Sequence, residues 1–146
     1  MASAADCFIC RKHAGQEATP PGGYLYVDKC FLVCHAPAAM AVAGTLIIES
    51  RRHYLDFIEM TPEEGVSYGP LLGKAYAAIK RSIGVERVYT LTTLEGAPHF
   101  HSWLVPRAPE DQRRGVAFLA RDLQCSEDEA LSAAEALRAA LSQPQG

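Results

Sequence analysis

The pattern of apolar and polar residues predicts several short strands. Residues 24–27 (YLYV) and 30–35 (CFLVCH) are apolar runs separated by two polar residues, which predicts a β-hairpin. Residues 45–50 (TLIIES) are rich in β-branched side chains and predict a third strand. Residues 85–94 (VERVYTLTTL) and 99–105 (HFHSWLV), joined by the turn sequence EGAP, predict an antiparallel pair. Together these strands supply an antiparallel sheet.

A long helix is predicted between the third and fourth strands. Thr61-Pro-Glu-Glu64 is a capping-box sequence with proline at the first helical position. The helix is therefore expected over about residues 62–83, and Gly84 ends it. Pro70 lies in its interior, where proline costs about 3 kcal/mol, so we expect a kink or a break there.

The C-terminal part of the chain predicts two further helices. Residues 108–125 predict one, and residues 126–142 (SEDEALSAAEALRAALS) predict another, with Ser126 as its N-cap and Glu129 at N3. The apolar residues of this last helix recur at helical spacing, which is typical of a core or dimer surface. Strands around one central helix, followed by C-terminal helices, indicate the α+β class with an antiparallel sheet.

Composition narrows the possible classes of protein. A chain of 146 residues with 49% apolar and 21% charged residues is typical of a single globular domain. A net charge of −3 gives no support for nucleic acid as a partner. No apolar run approaches the roughly 18 residues that a membrane span needs. The N-terminus lacks a basic and apolar leader, and five cysteines are an odd number, so we expect a cytoplasmic protein without a disulfide framework.

The sequence PHFHSWLVPR places three large polar or aromatic residues at alternate positions. On a strand, His99, His101 and Trp103 share one face, with neighbours roughly 6.5–7 Å apart. Imidazole is both a nucleophile or acid–base group near neutral pH and a frequent metal ligand. The simplest alternative is two hydrogen-bonded histidines on a half-exposed strand.

Other residues of the sequence suit a metal site. Cys7-x-x-Cys10 lies near the N-terminus, and His53 follows the third predicted strand. Together with one of the strand histidines they could form a tetrahedral Cys₂His₂ zinc site, for which His99 is the better candidate. His13 is an alternative ligand. A redox-active CxxC is a further alternative, although the βαβ context that it requires is missing.

Taken in order, the CxxC, AGTLIIESRRHY, TPEE and PHFHSWLVPR segments resemble the histidine triad (HIT) superfamily. The resemblance covers most of residues 7–107 and leaves the last 40 residues uncovered. It implies a half-barrel antiparallel sheet with one long helix packed on it, and often a homodimer. It also implies nucleotidyl transfer or hydrolysis at the α-phosphate of nucleotides such as dinucleoside polyphosphates or nucleoside phosphoramidates. We therefore expect one domain over residues 1–146, with its core at about 7–107 and a helical extension at about 108–142.

The resemblance also implies roles for individual residues. His101 matches the middle histidine of the triad, the nucleophile that forms a covalent nucleotidyl-histidine. His99 matches the first histidine, which is a metal ligand in zinc-bearing relatives. Cys7, Cys10 and His53 match the other three ligands of those relatives. A structural zinc ion is therefore the expected cofactor, and it would orient the strand while His101 carries the chemistry.

The expected substrate-binding residues depart from the family pattern. Trp103 stands where relatives mostly have His or Gln, and an indole offers one N–H donor but no transferable proton. The phosphate-binding segment reads TTLEGAP, so Thr92, Thr93 and backbone amides near Gly96 are the evident replacements for the usual residues, and Glu95 would repel a polyphosphate. His35 takes the ribose-binding position. The substrate-binding residues that we expect are His35, Thr93, Gly96, Trp103 and Arg107, with an apolar base pocket at Phe8, Ile9, Leu32 and Val33.

Two functions are compatible with this pattern. In the first, the protein is a HIT-type nucleotide hydrolase or nucleotidyltransferase with His101 as nucleophile. In the second, it is a catalytically weak or inactive HIT-fold protein that binds nucleotides or acts as a scaffold and holds a structural zinc. Trp103 separates these alternatives, because its side chain cannot protonate a leaving group.

Overall fold

The computed structural model describes residues 3–144 as five strands and four α-helices. In chain order the elements are α1 (Phe8–His13), β1 (Tyr24–Val27), β2 (Phe31–His35), β3 (Leu46–Ser50), α2 (Pro62–Ile83), β4 (Arg87–Leu91), β5 (His101–Arg107), α3 (Gly115–Leu119) and α4 (Glu127–Leu141). Within residues 3–144, no helix has the length and apolar character needed to cross a membrane.

The strands form one open antiparallel sheet in the order β1-β2-β3-β5-β4. The sheet and the helices confirm the α+β class with an antiparallel sheet. In the centre of the sheet, Ile48 of β3 lies opposite Ser102 of β5, and Glu49 lies opposite His101. Because directly opposed residues share a face, β3 and β5 present two different sets of side chains to the two sides of the sheet.

One side of the sheet, called here the helix face, packs against α2 and forms the main core. Its buried strand residues are Phe31, Val33, Leu46, Ile48 and Leu104, and α2 and α4 contribute Leu71, Ala75, Ile79, Leu137 and Leu141. The opposite side, called the cavity face, carries Ile47, Glu49, His101, Trp103 and Val105. The helix face is closed by apolar packing, whereas the cavity face borders open space.

The long helix α2 begins and ends where the sequence predicts. Thr61 accepts a hydrogen bond from the backbone N–H of Glu64, the Glu64 carboxylate accepts one from the N–H of Thr61, and Gly84 ends the helix with a left-handed φ of 74°. The predicted break at Pro70 is wrong, because the helix continues through it. Gly69 precedes Pro70 and has no Cβ with which the proline ring could clash. The carbonyl four residues before Pro70 loses its helical hydrogen bond, but it lies on an exposed surface, where water can replace that bond.

Several element boundaries differ from those predicted. The fourth strand is shorter, and β5 begins at His101, so His99 lies just before the strand. The predicted helix over residues 108–125 is wrong, because only Gly115–Leu119 is helical there. Pro109 and Gly115 interrupt this segment, and its DQRR sequence has no apolar residues to pack. The helix at the C-terminus is confirmed, with Ser126 accepting from the Glu129 amide.

Candidate functional site

Four metal-binding side chains meet at one end of the sheet. Cys7 is the N-cap of α1, and its Sγ accepts a hydrogen bond from the Cys10 amide at 3.5 Å. This single turn of helix brings both thiols to one side. His53 follows β3, and His99 lies two residues before the start of β5. These four residues, called here the metal cluster, offer two sulfur and two nitrogen atoms that all lie within 4.8 Å of one another.

The separations between these donor atoms suit a tetrahedral ion. The Nδ1 atoms of His53 and His99 are 3.2 Å apart. Three sulfur–nitrogen separations, one from Cys7 and two from Cys10, are 3.4–3.5 Å. A zinc ion bonded at its usual distances would place tetrahedral ligands about 3.3 Å apart for two nitrogens and about 3.6 Å for nitrogen and sulfur. The donor set and its spacing therefore fit zinc coordination.

A second contact fixes the orientation of His99. Its Nε2 lies 2.7 Å from the carbonyl oxygen of Ser50, so this nitrogen donates and Nδ1 keeps its lone pair for a metal. Burial lowers the pKa of His99 to about 4, which keeps the ring in the neutral form that binds metals. His13, the alternative ligand, instead places its Nε2 3.0 Å from a carboxylate oxygen of Glu49.

A cavity of about 430 Å³ opens beside the metal cluster on the cavity face of the sheet. Its volume is in the range of small-molecule sites, roughly 300–1,000 Å³. The apolar lining includes Phe8, Ile9, Met40, Ile47, Trp103 and Leu123, and the polar lining includes Lys12, Glu49, Thr93, His101 and Arg121. Most of the wall is therefore apolar, with a few polar groups facing inward.

His101 is held in one orientation at the wall of this cavity. Its Nδ1 lies 2.7 Å from the carbonyl oxygen of His99, and the residue is 6% exposed. A carbonyl only accepts, so Nδ1 carries a proton, and in the neutral tautomer Nε2 has the free lone pair. The backbone of a metal-cluster residue thus fixes the tautomer of the cavity histidine.

Comparisons with known proteins bear on this arrangement. No protein-family model and no curated protein matches the sequence. Among solved structures, a Hit-like protein from Bartonella henselae superposes with a TM-score of 0.74 at 12% identity, over 96% of this chain and 99% of that one. A Zn-bound histidine triad family protein from Mycobacterium smegmatis gives a TM-score of 0.73 at 18% identity, over 96% of both chains.

A third match, a hypothetical histidine triad nucleotide-binding protein from Sulfolobus tokodaii, gives a TM-score of 0.72 at 12% identity, over 92% of this chain and 91% of that one. The chain has the histidine triad (HIT) fold. Matches over 96% of the chain also reach past residue 107, so the HIT-fold likeness includes much of the C-terminal part that the sequence motifs leave uncovered.

Three of the predicted substrate-binding residues line the cavity of this HIT-fold chain, namely Thr93, Gly96 and Trp103. His35 does not, which corrects the sequence-based expectation. It is fully buried, with Nδ1 donating to the carbonyl of Ala36 at 2.7 Å and Nε2 accepting from the Gly44 amide at 2.9 Å. Since it pairs with Leu46 of the core, His35 belongs to the helix face.

Arg107 and half of the predicted base pocket also lie elsewhere. Arg107 is outside the cavity lining, and its Nη1 donates to the carbonyl of Asp111 at 3.3 Å. Phe8 and Ile9 line the cavity as expected, whereas Val33 belongs to the main core and Leu32 is not part of the lining.

Sequence reasoning missed three charged residues that line the cavity, Lys12, Glu49 and Arg121. Arg121 comes from the segment after α3 and is paired with Asp111. The available signal for Glu49 was an acidic side chain within an otherwise apolar strand, since such a group needs a buried partner. Lys12 supplies that partner at 2.6 Å, from a position 37 residues earlier in the chain.

The charges at Lys12 and Glu49 are stable around neutral pH. Burial alone would raise the pKa of Glu49, but hydrogen bonds and charge from His13 and Lys12 outweigh it and lower that pKa to about 2. Burial would likewise lower the pKa of Lys12, yet the neighbouring Cys34 and Glu49 raise it. Both groups therefore remain ionised near neutral pH. Because its pKa is about 2, the Glu49 carboxylate is too weak a base to act as a general base there.

Proposed function

We propose that the chain is a HIT-type enzyme that binds a nucleotide or a related phosphate ester in the cavity and attacks its α-phosphate through His101. The observation that carries this proposal is the His101 ring, whose Nδ1 is held by the His99 carbonyl at 2.7 Å while the ring borders the cavity. A neutral imidazole with Nε2 unprotonated is a nucleophile that needs no further activation.

The proposed reaction proceeds in two displacements. The Nε2 lone pair of His101 forms a bond to the α-phosphorus, and the bond from phosphorus to the leaving group breaks with its electron pair. The ring then carries a positive charge, which the Nδ1–H···O hydrogen bond to residue 99 stabilises. Water, or an acceptor hydroxyl, then attacks the same phosphorus and loses its proton to solvent. The bond from phosphorus to Nε2 breaks, and its electron pair returns to the ring, which becomes neutral again.

Donors for the phosphate oxygens come from around the cavity. Thr93, Gly96, Trp103 and Arg121 all line it. Their hydroxyl, backbone amide, indole N–H and guanidinium groups are the hydrogen-bond donors that they offer. Arg121 takes the role that Arg107 was expected to have, since a guanidinium forms charge-assisted hydrogen bonds with phosphate. The similar structure from S. tokodaii is named a hypothetical histidine triad nucleotide-binding protein, which supports a nucleotide as the ligand.

In this proposal the metal cluster holds zinc in a structural role. Zinc bound by Cys7, Cys10, His53 and His99 would supply a cross-link between the chain start, the end of β3 and the start of β5. His99 contributes its ring to the cluster and its carbonyl to His101, so this cross-link bears directly on the position of the nucleophile. The M. smegmatis neighbour is named as Zn-bound, which supports this metal.

A second candidate function is nucleotide binding with weak or absent catalysis. Trp103 favours it, because the indole on the cavity wall cannot transfer a proton to a leaving group. Both functions place a nucleotide in the same cavity, and they differ only in whether a covalent intermediate forms.

The experiment that separates them is detection of that intermediate. Zinc-loaded protein is incubated with a dinucleoside polyphosphate and with a nucleoside phosphoramidate, and its intact mass is measured at alkaline pH, where phosphohistidine survives. An added nucleoside monophosphate that is absent from His101→Ala supports the enzyme. Tight binding with neither an adduct nor turnover, at normal zinc content, would instead establish the second function.

The homodimer and the cytoplasmic location remain predictions from the sequence. Light scattering coupled to size-exclusion chromatography tests the dimer, and imaging of the tagged chain in cells tests the location.

A further inference from the structure

A buried ion pair forms part of the cavity wall and has no role in the proposed reaction. The side chains of Lys12 and Glu49 are 8% and 2% exposed, and their Nζ and Oε2 atoms are 2.6 Å apart. Both residues nevertheless line the cavity. Burying two charges is costly even when they are paired, so a buried pair that also lines a cavity is a candidate for contact with a ligand.

The carboxylate of this pair is already fully engaged. Oε1 of Glu49 accepts from Tyr24 at 2.9 Å and contacts His13 Nε2 at 3.0 Å, while Oε2 accepts from Lys12. The Cys34 thiol also contacts Oε2, at a distance of 3.9 Å. Glu49 thus holds Lys12 in place and has little capacity left to accept a hydrogen bond from a ligand.

The ammonium, by contrast, has a donor to spare. Lys12 Nζ donates to Glu49 and, at 3.3 Å, to the Cys34 sulfur. Within residues 3–144 it has no third hydrogen-bond acceptor, and the Tyr24 ring, 5.5 Å from the nitrogen, offers only its π face. An ammonium has three N–H groups, so one of them remains for a group inside the cavity.

The charge balance of the pair selects the kind of group that Lys12 can bind. The Glu49 carboxylate neutralises the ammonium and would repel a phosphate brought to the same place. A neutral carbonyl oxygen accepts a hydrogen bond from the ammonium without that repulsion. An exocyclic amino group would instead point its own N–H at the Lys12 ammonium, which would then have no acceptor for its third N–H.

The pair also lies within reach of a ligand that His101 engages. Glu49 is directly opposite His101 across β3 and β5, and such side chains have Cβ atoms about 4.5–5.5 Å apart. Because the pair disfavours a further phosphate, we place the neutral base or sugar at Lys12 when the α-phosphate lies at His101. Phe8 and Ile9, which line the same cavity on α1, supply apolar contact for a base.

We infer that Lys12 is a specificity-determining residue that donates a hydrogen bond to a carbonyl oxygen of the base, so that the cavity prefers keto bases over amino bases. Hypoxanthine, guanine and uracil carry such a carbonyl where adenine and cytosine carry an amino group. The inference rests on the proposed nucleotide-binding function and adds the class of base to it.

The test compares isosteric nucleotide pairs. Affinities of zinc-loaded protein for inosine and adenosine monophosphate, and for uridine and cytidine monophosphate, are measured by calorimetry. We expect the keto member of every pair that binds to bind about tenfold more tightly, as a charged hydrogen bond implies. This wild-type comparison tests the preference without any substitution.

A double variant then assigns the preference to Lys12. Lys12→Met combined with Glu49→Gln removes both charges together, which leaves no unpaired buried ion. The keto preference should fall below twofold while zinc content stays at the wild-type level. Lys29→Met, which breaks an exposed ion pair with Glu63, is the matched control and should retain the preference.

The outcomes separate the two proposals. Equal affinities within the pairs, or a preference that survives in the double variant, would overturn the role of Lys12 and leave nucleotide binding intact. Failure of all four nucleotides to bind would overturn the proposed function along with it.

Discussion

The two faces of the central sheet are built from the same strands but follow different rules. In β3, Ile48 is fully buried against α2, while its neighbour Glu49 faces the cavity and is paired with Lys12. In β5, Ser102 faces the helix side and His101 faces the cavity. Because side chains alternate along a strand, a residue in the core and a residue at the cavity are only one position apart. The helix face gives the domain its stability, and the cavity face gives it its candidate function.

The largest effect is expected at the metal cluster, which joins the chain start to the end of β3 and the start of β5. Removing zinc with a chelator, or substituting Cys7→Ser, should lower the free energy of unfolding by at least about 4 kcal/mol, because a tightly bound ion stabilises only the folded state. Thermal unfolding with metal analysis measures this change. Cys125→Ser, outside the cluster, is the control, and an equal loss there would contradict a structural role for the cluster.

Ile47 and Ile48 are neighbours in β3 and face opposite sides of the sheet, so their truncation compares the packing of the two faces directly. Ile48→Ala should cost about 3 kcal/mol of stability, because it leaves a void in the closed core. Ile47→Ala should cost about half of that or less, since its side chain lines a space that is already open. Urea unfolding measures both, and nucleotide affinity should fall only for Ile47→Ala. Equal stability losses would show that the two faces are packed alike.

Glu49 predicts a dependence of stability on pH. Its pKa falls from 4.5 to about 2 on folding, so the ionised form stabilises the folded state above about pH 4.5 and this contribution disappears as the pH falls through 2. The contribution is on the order of 3 kcal/mol. Unfolding of metal-free wild type and Glu49→Gln should therefore differ at pH 6 and converge toward pH 2. A difference that is constant across this range would contradict the assignment.

Trp103 predicts which leaving groups the cavity tolerates. Without a proton donor at this position, the chain should process dinucleoside polyphosphates, whose phosphate leaving groups depart as stable anions, better than phosphoramidates, whose amines need protonation. Trp103→His should raise kcat/KM for a phosphoramidate, relative to the polyphosphate, about a hundredfold, the usual effect of a general acid. An unchanged ratio would mean that the residue does not face the leaving group.

Most of the helix-face structure could be predicted from the sequence, because it depends on helix capping and on the spacing of apolar residues within single elements. The capping box at Thr61 and the apolar period of α2 both predict the helix that forms. The error at Pro70 has a local cause too, since exposure and the preceding Gly69 make the proline tolerable. The predicted helix at 108–125 fails because its segment lacks a continuous apolar stripe.

The cavity face was harder to predict because its contacts are distant in sequence. Lys12 and Glu49 become partners only through the fold, and neither residue alone indicates the other. The ribose expectation at His35 fails for a different reason, because a shift of one residue along a strand moves a side chain to the other face. Cys34, not His35, lies on the cavity side of β2, beside Ile47 and Trp103.

The position of the covalent adduct tests the central claim most directly. Zinc-loaded protein is mixed with a dinucleoside polyphosphate, digested at alkaline pH and mapped by tandem mass spectrometry across all five histidines. We predict a nucleoside monophosphate on His101, the histidine whose Nδ1 is fixed by the His99 carbonyl at the cavity wall. An adduct on another histidine, or binding with no adduct, would contradict the account.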